Sequence, residues 1–313
     1  MSLFDVLWGK KTKEVLILPK VIIKHIDAFS AVPEKGNPAG VVLNGKDFSD
    51  EQMQAIAATV GFNETAFVLP STIADFRIRY FTPGHENNLC GHATIGTVFA
   101  LLREGTLNKK EFTIETKAGI LPIRIYEEND QTFITMQHAA PQFVPFAGSL
   151  KDLAEAIGLQ EQDIHTDYPT LYGSTGIWTL IVPVRELASF EKMNPQTAIF
   201  PSILKEMPKM SIHPICFDVR DAENTMHGRH FSSPYSGTIE DAVTGTASGV
   251  MGAYYKQYVN PSLPLPATLI VEQGHEIGKD GKVFVHVDGT NEQLQISISG
   301  TAVYVKDLEL EIL

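Results

Sequence analysis

Thiols are almost missing from this chain, which holds two cysteines, Cys90 and Cys216, in 313 residues. So few exclude a disulfide framework, and reduced thiols are expected. Long apolar runs are missing as well. "WTLIVPV" and "IGTVFALL" fall far short of the roughly 18 to 20 residues that span a bilayer, and the opening "MSLFDVLWGKKTKEVLILPK" lacks a signal-peptide core. A cytoplasmic location with no membrane partner is expected. Dense basic stretches are lacking too: 25 Lys and Arg stand against 37 Asp and Glu, a net charge of -12. Nothing tracks a phosphate backbone, so no nucleic-acid partner is expected, while a locally positive site for a small anion is compatible with a negative protein.

What is present is enough apolar material, 43% of residues, for one large or two ordinary globular domains. "VIIKHIDAF", "GVVL", "TAFVL", "DFRIRYFT", "EFTIET" and "LPIRIY" read as strands in the first half, cut by Gly, Pro, Asn or Asp turns. "IWTLIVPV", "HPICFDV", "RHFSS", "ATLIVEQG", "KVFVHV" and "LQISISG" continue the pattern in the second. Helices are fewer. Ser49 with Gln52 forms a capping box ahead of "EQMQAIAATV", Ser149 caps "LKDLAEAIGL", and Asn194-Pro195 opens a helix over "QTAIFPSILKEM" whose middle Pro201 strains. The class is α+β.

One pattern occurs twice. "CGHATIGTVFALL" from Cys90 and "VTGTASGVMGAYY" from Val243 each run from small and hydroxyl residues into a helix. Interior glycine costs a helix about 1 kcal/mol relative to alanine, so something compensates. Two explanations stand: the helices are central and small residues let strands pack close, or their first turns admit a ligand to the backbone. A duplicated lobe would aim two helix N-termini, with their free N–H groups and positive dipole ends, at one anionic ligand in the cleft between.

The blocks "DAFSAVPEKGNPAGVVL", "GFNETAFVLP", "RYFTPGHENNLCGHATIG", "GSTGIWTLIVPV" and "GTIEDAVTGTASG", in this order and spacing, resemble the signature of the PhzF family of phenazine-biosynthesis isomerases, over nearly everything from Val21 onward. The resemblance implies a diaminopimelate-epimerase-like fold: two pseudo-symmetric lobes, residues 1–125 plus 300–313 and residues 126–299, each a curved sheet around a central helix. It also implies an active site between the lobes, a homodimer, and no metal or organic cofactor. The expected activity moves a proton within a small carboxylate-bearing substrate, with a dihydro-hydroxyanthranilate as the family template.

Residue by residue, Glu64 in "NET" matches the family's proton-transferring glutamate; its apolar neighbours would raise its pKa toward that of a working acid or base. His92 in "CGHAT" matches the family's histidine, and its place in a helix first turn favours a neutral ring. Asp241 matches the aspartate of the family's "EDPVTGSA" motif, where an N-cap role can coexist with chemistry, and Thr246 keeps the hydroxyl of a more usual serine. These four are the expected catalytic residues. Asn37, Gly91, Ala93, Thr244 and Gly245 are the expected substrate contacts. Ala242 replaces the motif's proline and Asn88 a common acidic residue, and neither change removes a catalytic group.

Two rival functions and a metal site compete with this assignment. A non-catalytic binding protein on this fold would keep the cleft but would not need Glu64. A thiol epimerase would need a cysteine at each helix start, and only Cys90 qualifies, Cys216 reading as a small buried hydrophobe. "HGRH", His227 to His230, lacks a second ligand pair, and along a strand its two rings point to opposite faces, so no metal site is expected.

Overall fold

In a computed structural model of the chain the described residues are 20–311. The part of the expected first lobe before Lys20 and the final two residues lie outside them. In chain order the first half runs β1 (Lys20–Ala28), β2 (Asn37–Val42), α1 (Asp50–Val60), β3 (Glu64–Leu69), β4 (Phe76–Phe81), β5 (Glu86–Asn87), α2 (Gly91–Arg103), β6 (Glu111–Thr116), β7 (Gly119–Glu128) and β8 (Gln131–Gln137). Then come β9 (Gln142–Pro145), α3 (Leu150–Ala156), β10 (Leu171–Ser174), β11 (Trp178–Pro183), α4 (Phe200–Ile203), β12 (Ser211–Cys216), β13 (Met226–Gly228), β14 (His230–Phe231) and β15 (Glu240–Asp241). The chain closes with α5 (Gly245–Tyr254), β16 (Ala267–Gln273), β17 (Gly281–Gly289), β18 (Leu294–Gly300) and β19 (Ala302–Glu311).

Strand pairing begins with β19 against β1 and continues through β2, β3, β4, β6, β7 and β8. At β8 it crosses to β18 and proceeds through β17, β16, β13, β12, β11, β10 and β9. The ladder is therefore continuous between the two halves, joined where Ile134 faces Gly300 and Gln137 faces Ser297. The helices nevertheless sit inside it. α2 packs against β1, β2, β3, β8 and β19, α5 against β10, β11, β17 and β18, and the two helices touch. Their side chains join one large core with Ile26, Phe29, Ile134, Val285 and Ile298, which is why both sequences are apolar and small on every side instead of on one face.

Local chemistry sets the ends of the outer helices. The Ser49 hydroxyl accepts from the Gln52 amide at 3.3 Å while the Ser49 amide donates to Gln52 Oε1 at 3.0 Å, and Gly61 closes α1 in the left-handed region at φ 72°. α3 begins at its Ser149 cap as expected but stops at Ala156, because Gly158 at φ 80° turns the chain and the Leu159 amide bonds back to Ala154 at 2.8 Å. The helix expected over "QTAIFPSILKEM" is corrected. Residues Thr197–Ile199 form a tight 3-10 turn and only Phe200–Ile203 are α-helical, with Pro201 in the first turn. A proline in mid-helix would lose one backbone bond and collide with the preceding turn, so the chain restarts there.

Candidate active site

The repeated pattern places equivalent residues at equivalent helix positions. Cys90 and Thr244 are the N-caps, Gly91 and Gly245 the first residues, His92 and Thr246 the second, and neither cap side chain makes a capping hydrogen bond. The two explanations for the glycines divide between the helices. A Cβ on Gly91 would meet nothing within 4 Å, so that helix start faces open space. A Cβ on Gly245 would lie 2.6 Å from Ile298 and 2.9 Å from the Phe29 ring, so close packing accounts for it. Ala93 is buried in the first turn of α2. Thr246 is half-buried, and its carbonyl accepts from the Thr175 hydroxyl at 3.3 Å.

Glu64 opens β3 beside Ala39 of β2 and is 4% exposed. Burial drives its carboxyl up to about 8; the Asn87 side-chain amide, donating to Oε1 at 2.9 Å, pulls the other way, and the charge of Asp241 adds to the rise. His92 is buried, which pushes its imidazole down, with Asp241 opposing. The neutral ring expected from the helix dipole is thus produced first by desolvation. Its Nδ1 lies 3.2 Å from Cys90 Sγ, and burial together with the charge of Glu64 lifts that thiol well above its usual range. Glu64, His92, Cys90 and Asp241 form one electrostatic neighbourhood.

Asp241 is not the N-cap of α5, which corrects that expectation: it lies three residues earlier, in a two-residue strand opposite His230. Its carboxylate instead collects side-chain donors. Asn37 and Asn63 donate to Oδ1 at 2.8 and 3.0 Å, and the Thr244 hydroxyl donates to Oδ2 at 2.7 Å. Asn37 also reaches the Val243 carbonyl at 2.8 Å, so one buried amide at the start of β2 holds the approach to the second helix. Gln273 completes the support, donating to the Asp241 carbonyl at 2.8 Å and accepting from the Thr244 amide at 3.1 Å. Neighbouring Glu240 is taken up by Arg229, at 2.9 and 2.6 Å, and belongs to the scaffold.

The structure thus brings Asn37, Glu64, Gly91, His92, Ala93, Asp241 and Thr244 around the two helix starts, with Gly245 and Thr246 on the second of them. Asn63, Asn87 and Gln273 were missed by the sequence reading. Asn63 and Asn87 lie inside quoted motif blocks, but an amide has no signature until its partner is known. The "HGRH" histidines diverge as expected. His227 is clasped between Glu272 at 2.8 Å and Glu276 at 3.1 Å, with Arg220 on Glu276 at 2.9 Å, whereas His230 meets His213 at 3.1 Å. Cys216 is buried at the end of β12 and its thiol is pushed up to about 11.

A family model described as phenazine biosynthesis-like protein matches residues 26–307. The uncharacterized isomerase YfhB of Bacillus subtilis is 50% identical over 292 residues, 93% of this chain and 98% of the relative. The trans-2,3-dihydro-3-hydroxyanthranilate isomerase of Pseudomonas aeruginosa is 29% identical over 278 residues, 88% of this chain and 94% of that enzyme. A crystal structure of a PhzF-family phenazine biosynthesis protein from Bacillus anthracis superposes with a TM-score of 0.92 at 56% identity, over 94% of this chain and 100% of that one. A hydroxyproline epimerase of Agrobacterium vitis superposes at 0.62 with 13% identity, over 93% and 91%, a likeness of fold alone. The expected α+β, diaminopimelate-epimerase-like fold is the observed one.

Proposed function

The chain belongs to the phenazine biosynthesis-like, or PhzF, family, and on that premise we propose that it is an isomerase in which Glu64 carries a proton from one carbon to another of a small carboxylate-bearing substrate. The observation that carries the reading is a buried carboxyl held at about 8 beside a second carboxylate. Such a group exchanges its proton near neutral pH, where a solvated glutamate at about 4.3 stays ionised. A binding protein has no need of it.

Roughly a tenth of Glu64 is ionised at pH 7 if it titrates near 8. That fraction takes the carbon-bound proton, and the resulting acid returns it at the second carbon, so no net proton is consumed. His92, neutral by burial, and Asp241, fixed by Asn37, Asn63 and Thr244, line the path and hold the substrate's polar groups. The uncapped starts of α2 and α5 supply N–H donors and positive dipole ends for a carboxylate. Thr246 presents its hydroxyl at the position that mirrors His92. The relative named for trans-2,3-dihydro-3-hydroxyanthranilate makes a ring-bearing carboxylic acid the first substrate to try. The cleft is assigned between a lobe of residues 1–125 plus 300–313 and a lobe of residues 126–299; the return of β19 to β1 supports the C-terminal part of that division, whereas β7 runs across residue 125 and β8, paired with β7 and packed on α2, goes with the strands of the first lobe. Thiol epimerisation is disfavoured, since Cys90 is held protonated and Thr244 occupies the matching place at α5.

The test uses trans-2,3-dihydro-3-hydroxyanthranilate in deuterated water. Wild-type protein is expected to turn it over with deuterium at the new C–H position in the share of turnovers in which the Glu64 carboxyl exchanges with solvent before returning its proton, and Glu64→Gln, which keeps the shape but cannot accept a proton at neutral pH, to lose turnover at least about a hundredfold while binding within a few-fold. Near-wild-type turnover by Glu64→Gln would remove the glutamate from the chemistry.

A further inference from the structure

A line of hydrogen bonds runs from the surface to Glu64. His85, exposed in the turn before β5, places Nε2 3.1 Å from Asn87 Oδ1, and the opposite end of that amide donates to Glu64 Oε1 at 2.9 Å. His85 is itself fixed. Its Nδ1 lies 3.2 Å from the Thr82 hydroxyl, whose oxygen accepts from the Gly84 and His85 amides at 3.1 and 3.0 Å. Directionality follows from the donor inventory. The ionised carboxylate only accepts, so with Glu64 ionised Asn87 turns its NH2 toward Glu64 and its carbonyl toward His85, an arrangement in which Nε2 carries hydrogen. Both the neutral tautomer protonated at Nε2 and the doubly protonated ring satisfy that requirement.

We propose that Asn87, oriented by His85, is the positioning residue of Glu64: it occupies Oε1, leaves Oε2 as the oxygen that takes the substrate proton, and favours the ionised state that a base needs. The inference rests on, and deepens, the assignment of Glu64 as the proton-moving group. An amide free to flip would serve either state of the carboxyl, since its carbonyl accepts from a protonated Oε1 as readily as its NH2 donates to an ionised one. His85 opposes that flip while Nε2 carries hydrogen, as it does in the Nε2 tautomer and in the doubly protonated ring, because a flipped Asn87 would then set its NH2 against an N–H. To flip, the amide must therefore carry the ring to its Nδ1 tautomer with it, and the pair together favours the ionised carboxyl. The remaining titratable groups around Glu64 do not replace it: Asp241 from β15 opposes ionisation, Cys90 ahead of α2 and Tyr80 on β4 are neutral through burial, and His92 is neutral beside Cys90.

Two readouts test this independently of each other. Carbon-13 labelling of glutamate side chains, with Glu64→Gln to assign the signal, follows the carboxyl by NMR without any substrate. Asn87→Ala is expected to move its midpoint upward by about one pH unit. His85→Ala, an exposed site that leaves the fold intact, moves it the same way by less, and His85→Gln, which keeps a donor for Oδ1, restores it. With trans-2,3-dihydro-3-hydroxyanthranilate, the rising limb of kcat/KM against pH is expected to shift alike, roughly tenfold slower at pH 7 for Asn87→Ala and recovering at pH 9, with KM within twofold. An unmoved midpoint in both Asn87→Ala and His85→Ala overturns the proposal even if the wild type turns over. A moved midpoint supports it, and if no turnover is then found at any pH, the loss falls on the isomerase assignment alone.

Discussion

At the scale of the residue, the main cost in the site is a single buried acid. Glu64 titrates near 8 in the folded chain and near 4.5 once unfolded, so the folded form holds the proton more tightly. Its contribution to stability is complete at pH below about 4.5 and is lost as pH rises through 8. At roughly 1.4 kcal/mol per unit, wild-type protein should lose about 2–3 kcal/mol from this group between pH 6 and 9. Glu64→Gln should escape that loss: chemical denaturation is expected to show the two proteins nearly matched near pH 4.5, the variant already more stable at pH 6, and the gap wider still at pH 9. A constant difference across that range would mean that Glu64 is not buried as a neutral acid. Glu64, His92, Asp241 and Asn37 were legible in the sequence because each sits in a motif block of characteristic order. Asn63, Asn87 and Gln273 were not, because their meaning depends on partners 178, 23 and 32 residues away. The same blindness made Asp241 look like a helix cap: the hydroxyl and the two amides that occupy its carboxylate are invisible until the chain is folded.

At the scale of the element, small residues do different things in two helices of similar composition. In α5 the glycines are contact points. A Cβ on Gly252 would stand 2.4 Å from Val285 Cγ1, and Val285 is fully buried on β17 with no space to yield into. Gly252→Ala should therefore destabilise by about 1 kcal/mol, since overpacking of about 1–3 kcal/mol outweighs the gain in helix propensity of about 1 kcal/mol. A melting temperature raised by this substitution would show that the helix is free to shift outward. Elements with a strong local signal were readable: Ser49 with Gln52 marked the start of α1, and alternating β-branched residues marked β1, β6 and β18. β5, β8, β9, β10, β13 and β15 were not foreseen: all but β8 are two to four residues long and defined by the strands beside them, and β8, seven residues long, follows β7 through a two-residue turn that was not read as one. The failed helix at Pro201 had its warning in the sequence, and the steric rule against proline in mid-helix outweighed the apolar spacing around it.

At the scale of the whole molecule, the duplication seen in the sequence survives as two enclosed helices, while the continuous ladder through β8 and β18 was not legible, since strands more than 150 residues apart pair there without a local cue. The return of β19 along β1 has a further consequence. Lys20 stands opposite Glu311 in an antiparallel pair, so the described chain nearly closes into a ring, with its two ends about 5 Å apart. Asn129 and Asp130 make the exposed hairpin between β7 and β8 with φ of 49° and 59°, a tip that donates nothing to the core. Cutting there and sewing Glu311 to Lys20 with a few glycines and serines should give a circular permutant that folds and melts in one transition within a few degrees of the parent. Such a protein would enter the fold through β8, the strand on which the two halves meet, and leave it through β7; insoluble or non-cooperative product would mean that the order of synthesis, and not the pairing of the chain ends, decides how these strands assemble.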